Sequence, residues 1–485
     1  MKRLLAATAF SLIAVTCPVY AQSQIELTLE QYIAMGNADA AGSITFSGKD
    51  SGADYVEYKD VKITAPDGSF TLETAFLRAT EVDGMTALTF APTINVSMVA
   101  NGAAGPTNFV VSSENLVVTT NTIVADPSTL TSYHVDLAAD TLKVGDLSGD
   151  TTVVKALNVE QTAPVISFDF DMATMKAKGG WSSKVLNLVY DFAMDGTAQK
   201  VDSKNTDLVL TFDMDIPQGE MDMPAFLSGQ KNMLIKMTSG GAEGSGSMTD
   251  PTMSIDYTGK GGPSALEFSI VGGNFLIDMV GTDIAYNFSS PNMGIPPVDV
   301  SMSEMALRTA VPFGATTAPG EANVVLKMGD LAIGDAGWMM IDPNGALPHD
   351  PLNVDIDVSA NVQFPADIMS AAMMDPMSAA KFSDATINTF EISAAGADVT
   401  ADGSLTFDPA MPAPLPTGII SVSLDGVVGL MNNLAAMGMI PADQVGMFTG
   451  LLGVYAVPAG EDSYTTDIEF KGMEPPTING QPLPM

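Results

Sequence analysis

Residues 352–364 read Leu-Asn-Val-Asp-Ile-Asp-Val-Ser-Ala-Asn-Val-Gln-Phe, and the alternation is unbroken. Leu352, Val354, Ile356, Val358, Ala360, Val362 and Phe364 are apolar, and the six residues between them are polar. Strand side chains leave on alternate sides, so a period of two makes one strand with an oily face and a wet face. At ~3.3 Å per residue it runs about 40 Å, well beyond the usual strand of ~5–6 residues. An oily face of that length needs a cover, from more of the same chain or from something else.

The pattern recurs along the chain. Ile166, Phe168, Phe170 and Met172 alternate with Ser167, Asp169 and Asp171. Leu186, Leu188, Tyr190, Phe192 and Met194 do the same, as do Leu208, Leu210, Phe212, Met214 and Ile216. Asp67-Gly68 between two such runs marks a hairpin over residues 60–73. The Gly/Ser-rich stretch Ser239–Ser247 reads as a loop, and Ser290–Pro297 as a soft boundary. Helical signals are few: Leu27–Gly36, Ala366–Lys381, and a pair at Val427–Met439 and Ala442–Leu452 around Pro441. No fixed repeat period emerges. The expected fold is mainly β: an elongated, curved, largely antiparallel sheet, as a groove or a roll, with a small helical cap near 427–453. The expected division is a signal peptide at 1–21, an N-terminal β region at 22–297, and a C-terminal β region at 298–485 continuous with it.

The first residues suggest an address. Lys2 and Arg3 precede an apolar run from Leu4 to Val15, and Val19-Tyr20-Ala21 precedes Gln22. That is the layout of a cleaved secretory signal, and the run is too short for a permanent bilayer span. A lipid-modified Cys17 is the rival reading, but Ala14-Val15-Thr16 before it and Pro18 after it fit a lipidation signal poorly. Cleavage leaves 464 residues (485 minus 21) without cysteine, hence without disulfides or a thiol nucleophile. The expected location is the periplasm, with secretion as the alternative and no transmembrane segment after cleavage. Lys and Arg number 20 against 57 Asp and Glu, a net charge of −37. Such a surface repels phosphate backbones and anionic headgroups, which excludes nucleic acid as a partner. The low aromatic content, 7%, argues against an outer-membrane barrel.

The chemistry of catalysis is mostly missing. Two histidines, His134 and His349, stand far apart in the chain, and no HExxH, CxxC or G-x-S-x-G appears. Aspartates recur two apart, at Asp169/Asp171, Asp213/Asp215 and Asp355/Asp357, which puts each pair on one strand face about 6.6 Å apart. Stacked on neighbouring strands, such pairs hold calcium or serve a glycosidase; set singly, they solvate a wet face. No catalytic residue, metal ligand or cofactor is assigned. Methionine is abundant at 32 residues, many on oily faces. Met adapts to irregular apolar guests and equally fills cores.

Residues 335–359 carry Trp338, then Asp342-Pro343, Leu347-Pro348 and Asp350-Pro351 leading into the long strand. Gly403–Asp408, the runs 418–424 and 430–440, Tyr464–Phe470 and Asn479-Gly480 follow. This arrangement resembles an uncharacterised exported bacterial family, domain of unknown function 2125, over about residues 320–485. The resemblance implies an envelope protein of a Gram-negative bacterium and carries over no catalytic residue. Strand–helix–strand endings of this kind also resemble long β-groove envelope proteins that handle lipids, an analogy of fold alone. Locally, Asp342-Pro343-Asn344-Gly345 is a type I turn signature, with Trp338 expected to pack beneath the strand that follows.

The expected function is a non-enzymatic cell-envelope protein holding lipid or another apolar ligand in a β-lined groove. Met172, Met194, Met214, Val354, Ile356 and Val358 are its candidate lining. The alternative is a structural or protein-interaction protein with a closed β core, no ligand, and envelope proteins as partners.

Overall fold

The computed structural model describes residues 43–52, 54–65, 67–99, 105–121, 131–149, 154–194, 196–217, 223–314, 318–364, 380–408 and 415–482. The expected signal peptide, the segment 27–36 and nearly all of the helix expected at 366–381 lie outside them. The chain divides into two compact units: Met1–Met221 with Met237–Asp256, and Asp222–Lys236 with Tyr257–Met485. Both are mainly β and antiparallel, as the alternation requires. Residues 290–297 fall inside the second unit, as a 3-10 turn at Pro291–Met293 running into a strand that starts at Ile295.

In unit 1, strands β1 (Tyr55–Thr64), β2 (Phe70–Val82) and β3 (Met85–Phe90) open the sheet. Strands β4 (Ser132–Ala138), β5 (Val165–Asp171), β6 (Lys176–Met194) and β7 (Thr197–Asp215) continue it. One apolar row crosses the pairings: Val56, Ala79, Leu88, Val118, Leu137, Ile166, Trp181, Leu210. Its first four members, with Tyr58, Val61 and Leu77, form a dry core. Cover fades along the row, from Val56 at 0% exposed to Ile166 at 38%.

Ser239–Ser247 is not a loop. Met233–Ser239 and Gly241–Thr249 are strands, the second paired with β7 from Ala198 to Thr206. Glycine carries no apolar signal, so the period of two was invisible. Gly244 suits the strand because a Cβ there would lie 2.7 Å from the Asp202 carbonyl oxygen.

Five aspartates inside strands hold left-handed backbone: Asp60, Asp146, Asp207, Asp283 and Asp330, with φ between 47° and 52°. Each sits where the apolar positions change parity. Val56 and Tyr58 give way to Val61 and Ile63 across Asp60; Leu326 and Met328 give way to Leu331 and Ile333 across Asp330. A left-handed residue rotates the chain, so the oily set stays on one side of the sheet although its numbering shifts by one. Asp and Asn tolerate this region better than other chiral residues, and Gly enters it freely. Asp330→Gly is therefore expected to shift the denaturation midpoint little, whereas Asp330→Val costs roughly 1–2 kcal/mol. Equal midpoints for the two variants would remove the backbone explanation.

Unit 2 holds strands β8 (Ser264–Val271), β9 (Asn274–Ser290), β10 (Ile295–Pro312), β11 (Gly320–Ile333) and β12 (Leu352–Gln363). It continues with β13 (Lys381–Ala394), β14 (Ala397–Phe407), β15 (Pro416–Asp425) and β16 (Ser463–Lys471). Each pairs with the next in an antiparallel meander. Helix α1 (Met223–Leu227) packs on β8, and α2 (Asp335–Ile341) on β10. Between β15 and β16 stand α3 (Val427–Ala436) and α4 (Ala442–Tyr455), the expected helical pair, with Pro441 capping the second. No described helix is long and apolar enough to cross a membrane.

Candidate apolar binding face

The register of unit 2 turns the alternation into rows. Across six strands, Leu266, Met279, Leu307, Leu326, Ile356 and Phe390 stand opposite one another in turn. The row on one side is Phe268, Ile277, Thr309, Val324, Val358 and Ile387. On the other side run Gly281, Met305, Met328, Val354, Ile392, Val399, Leu424 and Tyr464. Strands lie about 4.8 Å apart, so six of them make a floor about 24 Å wide.

No member of the Leu266–Phe390 row is fully buried, and Met279 is 37% exposed. Val324, in mid-sheet, is 47% exposed and Met305 is 37% exposed. Large neighbours on one face hide each other in part; complete burial needs a layer on top. The core of unit 1 reaches such burial, from Val56 at 0% to Val118 at 7% exposed, and the central row of this face does not.

The face closes along the Phe268 edge, and in the row on its other side Val354 is only 7% exposed. Phe268, Phe275, Phe313 and Phe364 follow one another with ring centroids 5.8, 6.3 and 5.0 Å apart. Val362 and Phe364 are buried there with Val311, Phe313 and Phe382 packed against them. Ile270 on β8 and Phe226 on α1 are each 0% exposed.

The reverse face carries the charge. Opposite Ile356's row runs Glu267, Asp278, Arg308, Val325, Asp357, Thr389. Lys327 donates to Asp355 at 2.9 Å, which raises the lysine's pKa, and Arg308 pairs with Asp278 at 3.3 Å. Asp357 accepts from the amides of Asn323 and Asn388 at 2.8 and 2.9 Å.

The expected lining residues fall in different places. Val354, Ile356 and Val358 lie together on this face. Met214 is on β7 in unit 1, opposite Ala177, and Met172 lies in the turn after β5 rather than on a strand face. The alternation was carried one residue past the strand's end at Asp171, where the turn residues Ala173 and Thr174 hydrogen-bond back to Asp171. Met194 ends β6 at the far end of the β6–β7 hairpin, and its side chain lies outside the described residues. Three of the six thus belong to unit 1 and three to unit 2.

The aspartate pairs do not stack into a carboxylate site either. Lysines separate them: His134, Asp169, Lys178, Asp213 form one row, and Ser132, Asp171, Lys176, Asp215 the next. No group of three or more metal-ligating His, Cys, Asp or Glu occurs among the described residues.

Both histidines have partners that the sequence did not disclose. His134 lies between two carboxylates, Nδ1 at 2.7 Å from Asp169 and Nε2 at 2.8 Å from Asp136. Both ring nitrogens can donate only when the ring is protonated. The Asp169 hydrogen bond, then that of Asp136, raise its pKa against the lowering effect of burial. The folded value exceeds the unfolded ~6.5, so this stability is complete below ~6.5 and is lost as pH rises through the folded pKa. His134→Gln is expected to flatten that loss of melting temperature, an effect of about 1 kcal/mol. An unchanged pH profile in the variant would exclude the clamp as its cause.

His349 stacks on Trp338, centroids 4.3 Å apart and planes 6° from parallel. The tryptophan is on α2, a helix the turn-rich sequence concealed, and its stacking partner is this ring. Asp342, 3% exposed, accepts from Leu347 N–H at 2.7 Å, and backbone donors at Ala346 and Leu347 lower its pKa. This cluster fixes the loop that aims β12.

No curated protein and no solved structure matches the chain. Residues 238–471, which contain every strand of the apolar face, match the family described as an uncharacterized protein conserved in bacteria, DUF2125, and carry the resemblance seen in the sequence well upstream of residue 320.

Proposed function

We propose that this is an exported, non-enzymatic protein of the cell envelope that holds an apolar ligand, a lipid, on the open face of unit 2. The observation that supports it is the central row from Leu266 to Phe390, in which no residue is fully buried. A water-exposed apolar floor of this size is uncommon on a soluble domain without a guest or partner. Burial of each additional Å² of apolar surface by a chain lying on it is worth about 25 cal/mol. The phenylalanine edge gives that chain a wall to lie against, and unbranched methionines let the floor adapt to its shape.

The test is mass spectrometry of lipid extracted from protein purified out of its native envelope, together with uptake of N-phenyl-1-naphthylamine, an uncharged probe that brightens in apolar surroundings. Lipid in stoichiometric amount and saturable uptake are expected. Absence of both would favour the alternative, a structural or protein-interaction protein with a closed β core and no ligand.

A further inference from the structure

The ligand's charge can be read from the same face, and this inference rests on the reading just given. The row from Leu266 to Phe390, and the rows from Phe268 and Gly281 across to β16, contain no Asp, Glu, Lys or Arg. The cations of these strands lie on the reverse side: Lys327 pairs with Asp355, Arg308 with Asp278 and Lys471 with Glu469 at 2.8 Å, and Lys381, at the start of β13, stands opposite Gln363. The chain as a whole carries −37. A carboxylate or phosphate lying on this floor would lose its hydration with no cation to replace it, and would enter against the field of the whole protein. The floor does offer an uncharged polar group. Thr309 sits in mid-row between Ile277 and Val324, and a hydroxyl both donates to and accepts from an alcohol or ester.

We infer that the face selects an uncharged single-chain lipid, a long-chain alcohol or ester, over the same chain bearing a carboxylate. The occupant needs a hydrocarbon length comparable to the floor and a neutral polar end.

The experiment is displacement of N-phenyl-1-naphthylamine from the full-length protein by oleyl alcohol and by oleate at pH 8 and low salt. The alcohol is expected to displace the probe at least about tenfold more effectively, and added salt to narrow the gap by screening the protein's field. Val324→Lys puts a cation on the floor at a half-exposed position and is expected to reverse the order; Thr309→Lys is the second such variant. Melting curves of both establish that they fold. Oleate displacing as well as or better than the alcohol in the parent protein would overturn the inference and leave lipid binding standing. So would a folded lysine variant that still prefers the alcohol. No uptake of the probe and no binding of either lipid would overturn both readings together.

Discussion

Ile356→Glu is expected to abolish probe uptake while the protein keeps its fold. Ile356 stands between Leu326 and Phe390 in the central row, so a chain bound as proposed would lie directly over it. A carboxylate there is hydrated in the free protein and must lose its water when ligand arrives. That costs several kcal/mol, about a hundredfold or more in affinity. The cost to stability is much smaller, about 1–2 kcal/mol, since the position is only part-buried before binding. Ser359→Glu on the opposite face of the same strand provides the control, with uptake unchanged. The two functional readings part here. Were the face a dry interior, Ile356→Glu would unfold unit 2 by several kcal/mol, and the parent protein would take up no probe.

How far the residues alone disclose this structure depends on what carries a periodic signal. β12 was legible from end to end because bulky apolar and short polar residues alternate through it without a break. The helical pair α3–α4 was legible from apolar spacing and from Pro441. The strand at Gly241–Thr249 was hidden, because three glycines and three serines or threonines give neither face a hydrophobic character. The left-handed aspartates were hidden differently. Asp283 and Asp330 occupy positions where alternation merely lapses, and a lapse resembles a strand end. The signal that finds them is a parity change across an Asp within an otherwise continuous strand. Their consequence is large: without the turn at Asp330, Leu331 and Ile333 would leave the side that Leu326 and Met328 line.

The apolar face was half legible. Val354, Ile356 and Val358 follow from one strand's pattern. Their companions Leu266, Met279, Leu307, Leu326 and Phe390 required the register, which is set by pairing between strands far apart in sequence. Methionine content pointed instead to Met172 and Met194, a turn and a hairpin end. The stack of His349 on Trp338 and the clamp on His134 likewise depend on contacts that no local spacing encodes.

Gly418→Ala is expected to have the largest effect on stability of any single methyl group added to unit 2. Gly418 on β15 faces Leu405 on β14, and Gly403 on β14 faces Ile420 on β15, so two glycines sit in adjoining strands. Their φ angles are +149° and +152°, a region that L residues rarely adopt. A Cβ on Gly418 would fall on the Ser404 carbonyl oxygen, and one on Gly403 on the Ile419 carbonyl oxygen. Both obstacles are backbone, held in the ladder by hydrogen bonds, and cannot rotate aside as a side chain can. Strained φ and overpacking together cost roughly 2–4 kcal/mol. Gly403→Ala should act in the same direction, and the double variant should cost less than the sum, since one displacement of the strand pair relieves both clashes. Gly450→Ala supplies the opposite sign. It lies in α4 with nothing within 4 Å of its Cβ, so removal of a helical glycine stabilises by up to about 1 kcal/mol. Hydrogen exchange resolved by residue is the measurement of choice, because it locates the loss. Faster exchange confined to β14, β15 and β16 is expected for Gly418→Ala, with the Val56–Leu88 core of unit 1 unchanged; equal exchange in parent and variant would refute the backbone clash.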